Sequence, residues 1–174
     1  MWSTDAAPGP WREPLSIVIT ANDTIVAGTD GSATAERAVG EAASLARSTG
    51  ARLVLVSAFS DLHPYRERLQ GSAREDLIDL GKVSEQVLQR AADAVSGEEL
   101  QIERVSRQGN PAEVLADVAE EQGAQLIVLG DRGLSAVQRF LLGSVSNKLA
   151  HHAPCNILIV RGNGDRYGPL PVAG

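Results

Sequence analysis

The chain has 174 residues and a formal net charge of −6, with an isoelectric point near 5.1. That balance argues against nonspecific nucleic-acid binding, which depends on clustered Lys and Arg. No run approaches the roughly 20 apolar residues that span a bilayer, and a single cysteine, Cys155, excludes an intramolecular disulfide and suits a reducing compartment. The length fits one domain. With aromatic residues at 3%, Val, Leu, Ile and Ala must build the core.

Residues 1–22 hold three of the eight prolines and read as a flexible arm, although the run 14–20 (PLSIVIT) is apolar enough to dock on a sheet edge. The opening lacks a basic region followed by an apolar stretch, so no secretory signal is expected and the cytoplasm is the expected location. The first strand is expected over Thr24–Asp30 (TIVAGTD). Helical spacing of Ala35, Ala38, Val39, Ala42 and Leu45 predicts a helix over Ala33–Thr49, stopped by Gly50. Ala51–Phe59 (ARLVLVSAF) reads as a second strand. Its unbroken apolar run suits a strand covered on both faces of a parallel sheet.

After a connection containing His63, the pattern predicts a helix over Ser72–Val95, with Leu77, Leu80, Val83, Val87, Leu88 and Ala91 on one side. Leu100–Ser106 is the third and most polar strand, as expected of a sheet edge. Asn110, Pro111 and Glu113 then spell a helix start, with Asn as cap and Pro in the first helical position. That helix should stop near Gln122, before Gly123. Ala124–Leu129 is the fourth strand. A helix opens at Gly143 and ends near His152, blocked by Pro154. Asn156–Val160 (NILIV) is the fifth strand, and residues 162–174, rich in Gly and Pro, form a flexible tail. The domain therefore spans residues 23–161.

The alternation β-α-β-α-β-α-β-α-β implies an α/β fold, with an open parallel sheet, helices on both faces and right-handed crossovers. Ligands of such sheets bind beyond the carboxyl ends of the strands, where strand order reverses. Two strand ends carry the relevant residues. Thr29, Asp30, Gly31 and Ser32 follow the first strand. Gly130 and Gly133 follow the fourth and are succeeded, nine residues on, by Gly143 and Ser144. Glycines let backbone approach a ligand closely, and the N–H groups at a helix start attract anions. Gly143, Ser144, Val145 and Ser146 can thus face a phosphate chain, with the hydroxyls of Ser144 and Ser146 as further donors. Asp30 can accept from ribose hydroxyls or cap the following helix, and the two roles are compatible. Arg132 and Arg139 can reach a phosphate or lie solvated on the surface.

His151, His152 and Cys155 do not form a metal site, because adjacent helical histidines diverge and no second ligand pair occurs. The chain carries no Walker motif, no Gly-x-Gly-x-x-Gly turn and no Gly-x-Ser-x-Gly elbow. No catalytic base or nucleophile is placed by its motifs, so it is not expected to be an enzyme.

The segments VAGTDGSATAERAV and GNPAEVLADVAEEQGAQLIVLG, with G-x2-G-x9-G-S and a closing strand, resemble the universal stress protein family over residues 24–161. The resemblance implies a flavodoxin-like or Rossmann-like sheet in the order 3-2-1-4-5, of the adenine nucleotide alpha hydrolase-like architecture. It implies a stress or signalling regulator acting through bound ATP, with Mg²⁺ accompanying the ATP. By the same resemblance Asp30 lies at the ribose and the backbone of Ala58 at adenine, with Thr29 beside Asp30 as a further candidate for nucleotide binding. Gly130, Gly133, Gly143 and Ser144 match the phosphate contacts, Val145 and Ser146 extend them, and Arg132 is a candidate by its place in the loop. The second strand has Ser57-Ala58 where His-Val is commonest. In this it resembles actinobacterial single-domain members, some of which prefer cyclic AMP, so ATP, AMP and cyclic AMP remain open. The family also implies a homodimer through Asn156–Val160, whose apolar edge would otherwise be unpaired. A slow ATPase or nucleotidyl-transfer enzyme, and a dimer module with a vestigial pocket, are the alternatives.

Overall fold

The computed structural model describes residues 18–60, 80–97, 99–133 and 143–162. The rest of the arm, of the tail and of the two long loops, including His63, Arg139 and the stretch 72–79 of the expected second helix, lies outside the described residues. Among the described residues five strands and four helices alternate in the order β1 (Thr24–Gly28), α1 (Ala33–Thr49), β2 (Arg52–Phe59), α2 (Leu80–Val95), β3 (Ile102–Gln108), α3 (Pro111–Glu121), β4 (Leu126–Gly130), α4 (Ser144–His152) and β5 (Asn156–Val160).

The strands form one parallel sheet in the order β3-β2-β1-β4-β5. The chain first moves outward in one direction, to β2 and β3, then returns to β4 and continues to β5. Right-handed crossovers in opposite directions place their helices on opposite faces. Accordingly, α1 and α2 pack against one face, over Ile25, Leu53, Leu55 and Val128. On the other face α3 and α4 cover Val26, Val54, Val56 and Ile127. β1 is buried along its whole length, which explains its unbroken apolar sequence. Each large aliphatic side chain so enclosed stabilises the fold by about 1.5–3 kcal/mol.

Local chemistry fixes the helix ends. The Ser32 hydroxyl accepts from the Ala35 N–H at the start of α1, and Gly50 turns left-handed at its end (φ 77°). The Asn110 side chain accepts from the Ala112 N–H, with Pro111 in the first turn of α3. A row of alanines on α1 (Ala35, Ala38, Ala42, Ala43, Ala46) is buried, so this helix sits close over the centre of the sheet.

Two details depart from the sequence reading. β3 lies two residues further along than its own apolar pattern indicates. Its ends follow β2, to which it is paired from Leu53 opposite Ile102 to Phe59 opposite Gln108. On α2, Val83 is 41% exposed, and Ser84 takes the inward position. The Ser84 hydroxyl donates to the Ser57 carbonyl at 3.2 Å and accepts from the Ser106 hydroxyl at 2.8 Å. A polar contact across β2 and β3 thus occupies a place that hydrophobicity assigns to valine.

Candidate functional site

β1 lies between β2 and β4, so strand order reverses between β1 and β4. Ile25, Val26 and Ala27 pair with Leu126, Ile127 and Val128. This register brings the two expected strand ends together: Thr29 to Ser32 on one side and Gly130 to Gly133 on the other.

The β1–α1 turn is tightly specified. Thr29 is buried, and its N–H donates to the Val56 carbonyl at 2.9 Å. The Thr29 hydroxyl accepts from the Gly31 N–H at 3.2 Å, and Asp30 Oδ1 accepts from the Ser32 N–H at 3.0 Å. Gly31 is left-handed, with φ 78°, a conformation that side chains disfavour. Asp30 thus folds its own turn, while Ser32, not Asp30, is the cap of α1.

The glycines of the second loop are sites of close approach. A Cβ on Gly130 would lie 3.0 Å from the Thr34 carbonyl carbon. On Gly133 it would lie 2.5 Å from Asp30 Oδ2, and on Gly143 3.0 Å from the Asp131 carbonyl oxygen. The loop is held at each step. The Asp131 N–H donates to the Val160 carbonyl at 2.8 Å, and the Gly143 N–H donates to the Asp131 carbonyl at 2.9 Å. The Thr34 hydroxyl donates to the Arg132 carbonyl. The Asp131 carboxylate accepts from the Gly162 N–H at 3.3 Å and faces Arg132 Nε at 3.5 Å. Arg132 is therefore a paired, largely covered side chain.

α4 starts beside this loop with Gly143 as its cap and no side-chain capping bond. Its first intrahelical bond runs from the Asn147 N–H to the Gly143 carbonyl. The N–H groups of Ser144, Val145 and Ser146 therefore have no partner within the helix, and the positive end of its dipole lies at the crevice. Ser144 is exposed and Val145 half-buried. Ser146 is 2% exposed, and its hydroxyl donates to the Gly130 carbonyl at 2.9 Å. That hydroxyl ties α4 to β4, and its backbone N–H is what Ser146 offers at the helix start. Ala58 lies near the carboxyl end of β2, opposite Arg107 of β3, and packs toward the α3 face. Arg139 falls outside the described residues.

Thr34 is the residue of this region that spacing did not reveal. A threonine in a first helical turn reads as a solvated polar residue, and only the tertiary approach of the Arg132 carbonyl gives it a task.

The other candidates are elsewhere. Among the described residues, no group of three or more His, Cys, Asp or Glu could hold a metal ion. His151 and His152 are exposed, with ring centroids 6.3 Å apart. Cys155 is half-buried, and burial pushes its thiol above the ordinary cysteine range. It lines an open groove of about 660 Å³ with Ala119, Gly123, Gln125 and Pro154, at the amino ends of β4 and β5. The carboxyl-end crevice, not this groove, collects the anion-binding features. No helix among the described residues is long and apolar enough to cross a membrane.

Comparison with known proteins agrees with this architecture. The family model described as the universal stress protein family matches residues 21–161. A universal stress protein of Thermus aquaticus is 36% identical over 148 residues, covering 79% of this chain and 98% of its own. A universal stress protein solved in complex with cAMP superposes with a TM-score of 0.58 at 29% identity, covering 81% of this chain and 98% of its own. The universal stress protein of Archaeoglobus fulgidus solved in complex with dAMP shares the fold, with a TM-score of 0.59 at 23% identity, covering 81% of this chain and 99% of its own.

Proposed function

Because the chain belongs to the universal stress protein family, we propose that it binds an adenine nucleotide in the crevice between β1 and β4. In this reading it acts as a stress or signalling regulator through the bound state. One observation carries the proposal: the Asp30 carboxylate packs against Gly133, beside an α4 start that has no side-chain cap. A carboxylate suits the hydroxyls of a ribose. Partnerless N–H groups and a helix dipole suit phosphate oxygens. A nucleotide presents both chemistries on one molecule, and a simple anion only the second. The solved relative in complex with cAMP supports the same ligand class.

ATP is our first choice. Three consecutive N–H groups at α4, together with the glycine loop, can serve several phosphate oxygens, and cyclic AMP or AMP would engage fewer of them. Mg²⁺ would arrive with the ATP phosphates. The loop carboxylate, Asp131, is already held by Gly162 and Arg132, so we assign no protein ligand to the ion. We read the site as binding rather than catalytic, since its groups hold charge and hydroxyls in place. We place the protein in the cytoplasm, as a homodimer joined through β5.

The test is direct. The purified chain is denatured and any released nucleotide identified, and the nucleotide-depleted protein is titrated with ATP, AMP and cyclic AMP by calorimetry. Tightest binding of ATP is expected. A preference for cyclic AMP would move the choice to that ligand, and no binding of any of the three would leave a module with a vestigial pocket. ATP turnover well above that of a Gly133→Leu control would replace the binding role with an enzymatic one.

A further inference from the structure

The loop between β4 and α4 is held by a residue of a different element, and the direction of one backbone donor depends on it. Thr34 is the second residue of α1. Its single hydroxyl proton goes to the Arg132 carbonyl, so its 3.3 Å contact with the Ser32 hydroxyl is donated by Ser32. Ser32 in turn accepts from the Ala35 N–H at 3.3 Å. The cap of α1 is thus continued, hydroxyl to hydroxyl, into the backbone of the glycine loop.

The peptide joining Arg132 and Gly133 is trans and planar, so its carbonyl and its N–H point in opposite directions. Holding the Arg132 carbonyl on α1 therefore aims the Gly133 N–H away from α1. The preceding peptide is fixed in the same manner, because the Asp131 carbonyl accepts from the Gly143 N–H. Glycine imposes little preference of its own on the following bonds. Without the Thr34 hydroxyl, the peptide before Gly133 would be free to rotate.

We propose that Thr34 is a positioning residue of the nucleotide site: its hydroxyl, acting through the Arg132 carbonyl, fixes the Gly133 N–H as a donor to the anionic part of the ligand. The role rests on the nucleotide-binding reading above. It also makes the β1–α1 turn and the start of α1 responsible for both halves of the site, with Asp30 for the sugar and Thr34 for the loop.

Thr34→Val keeps the shape of the side chain and removes the hydroxyl; Thr34→Ser keeps the hydroxyl and removes the methyl group that packs toward Gly162. The full-length chain and both variants are titrated with ATP by calorimetry. The order parameter of the Gly133 N–H bond is measured by NMR relaxation in the nucleotide-depleted proteins. Thr34→Val should bind ATP about tenfold more weakly, the loss of roughly one hydrogen bond, and should lower the Gly133 order parameter. Thr34→Ser should stay close to the parent in both measurements. Equal losses in Val and Ser variants would assign the effect to packing and overturn the proposal, as would a Val variant that matches the parent. If the parent binds no nucleotide, the functional reading fails by itself. The order parameters then still decide whether the hydroxyl fixes the loop.

Discussion

Gly133 has no room for a side chain because Asp30 stands in the way: a Cβ there would lie 2.5 Å from Oδ2 of the aspartate. The carboxylate cannot simply swing aside, since its other oxygen accepts from the Ser32 N–H at 3.0 Å. The two strand ends are therefore coupled by contact, and the second glycine of the motif leaves room for the carboxylate.

Gly133→Ala should accordingly weaken ATP binding by roughly tenfold, on the scale of one displaced hydrogen-bonding group. Part of that loss should disappear in an Asp30→Ala background, where nothing remains to be displaced. Calorimetry on the double-mutant cycle measures the coupling. Strict additivity would show that the alanine acts on phosphate space alone.

Gly130 answers to a different neighbour. Its missing Cβ would meet backbone, 3.0 Å from the Thr34 carbonyl carbon, and backbone at a helix start yields less easily than a side-chain tip. Gly130→Ala should therefore destabilise the whole fold by about 1–3 kcal/mol, the range for overpacked sites. Urea unfolding of the nucleotide-depleted protein provides the check. An unchanged midpoint would show that α1 can retreat without penalty.

These contacts mark the limit of what could be read in advance. The alternating elements and the two strand ends that carry Asp30 and the glycines were legible from periodicity and turn signals, whereas the strand order that sets those ends side by side came from the resemblance to universal stress proteins. The partner of each glycine was not legible. Gly130 touches Thr34, nearly a hundred residues away in sequence, and no local pattern encodes that approach. The Ser146 hydroxyl shows the same limit. From spacing it is one more donor for phosphate, whereas in the fold it donates to the Gly130 carbonyl. The inward Ser84 departs from helical periodicity for a similar reason, since its acceptor and donor lie on two strands.

An ion pair on the α3 face makes a pH prediction. Both terminal nitrogens of the Arg107 guanidinium reach the Glu121 carboxylate, at 2.8 and 2.7 Å. The hydrogen bond to Arg107 lowers the Glu121 carboxyl below its ordinary value, and Glu121 raises Arg107. A depressed carboxylate contributes stability above its unfolded value and loses it as pH falls through the folded one. Glu121→Gln should therefore be less stable than the parent at neutral pH, by a small amount that salt reduces further, because the pair is exposed. The difference should close in acid. Thermal unfolding across the acid range, at low and high salt, measures it. A difference that persists after the carboxylate is protonated would assign the effect to something other than charge.

The final prediction concerns the open edge of the sheet. Among the described residues β5 pairs with β4 on one side only, and Leu158, opposite Val128, is 40% exposed. An apolar parallel strand with an unpaired edge invites a second chain, and this is the surface through which we propose the homodimer forms. Leu158→Asp places a charge where a partner strand would pack and leaves the carbonyl of Val160, which holds the Asp131 N–H, two residues away. The variant should therefore sediment at monomer mass while the parent sediments as a dimer, with circular dichroism and ATP affinity retained. A variant that remains dimeric would place the interface on another face of the molecule. A monomer that has also lost ATP binding would show instead that β5 supports the glycine loop only when its edge is covered.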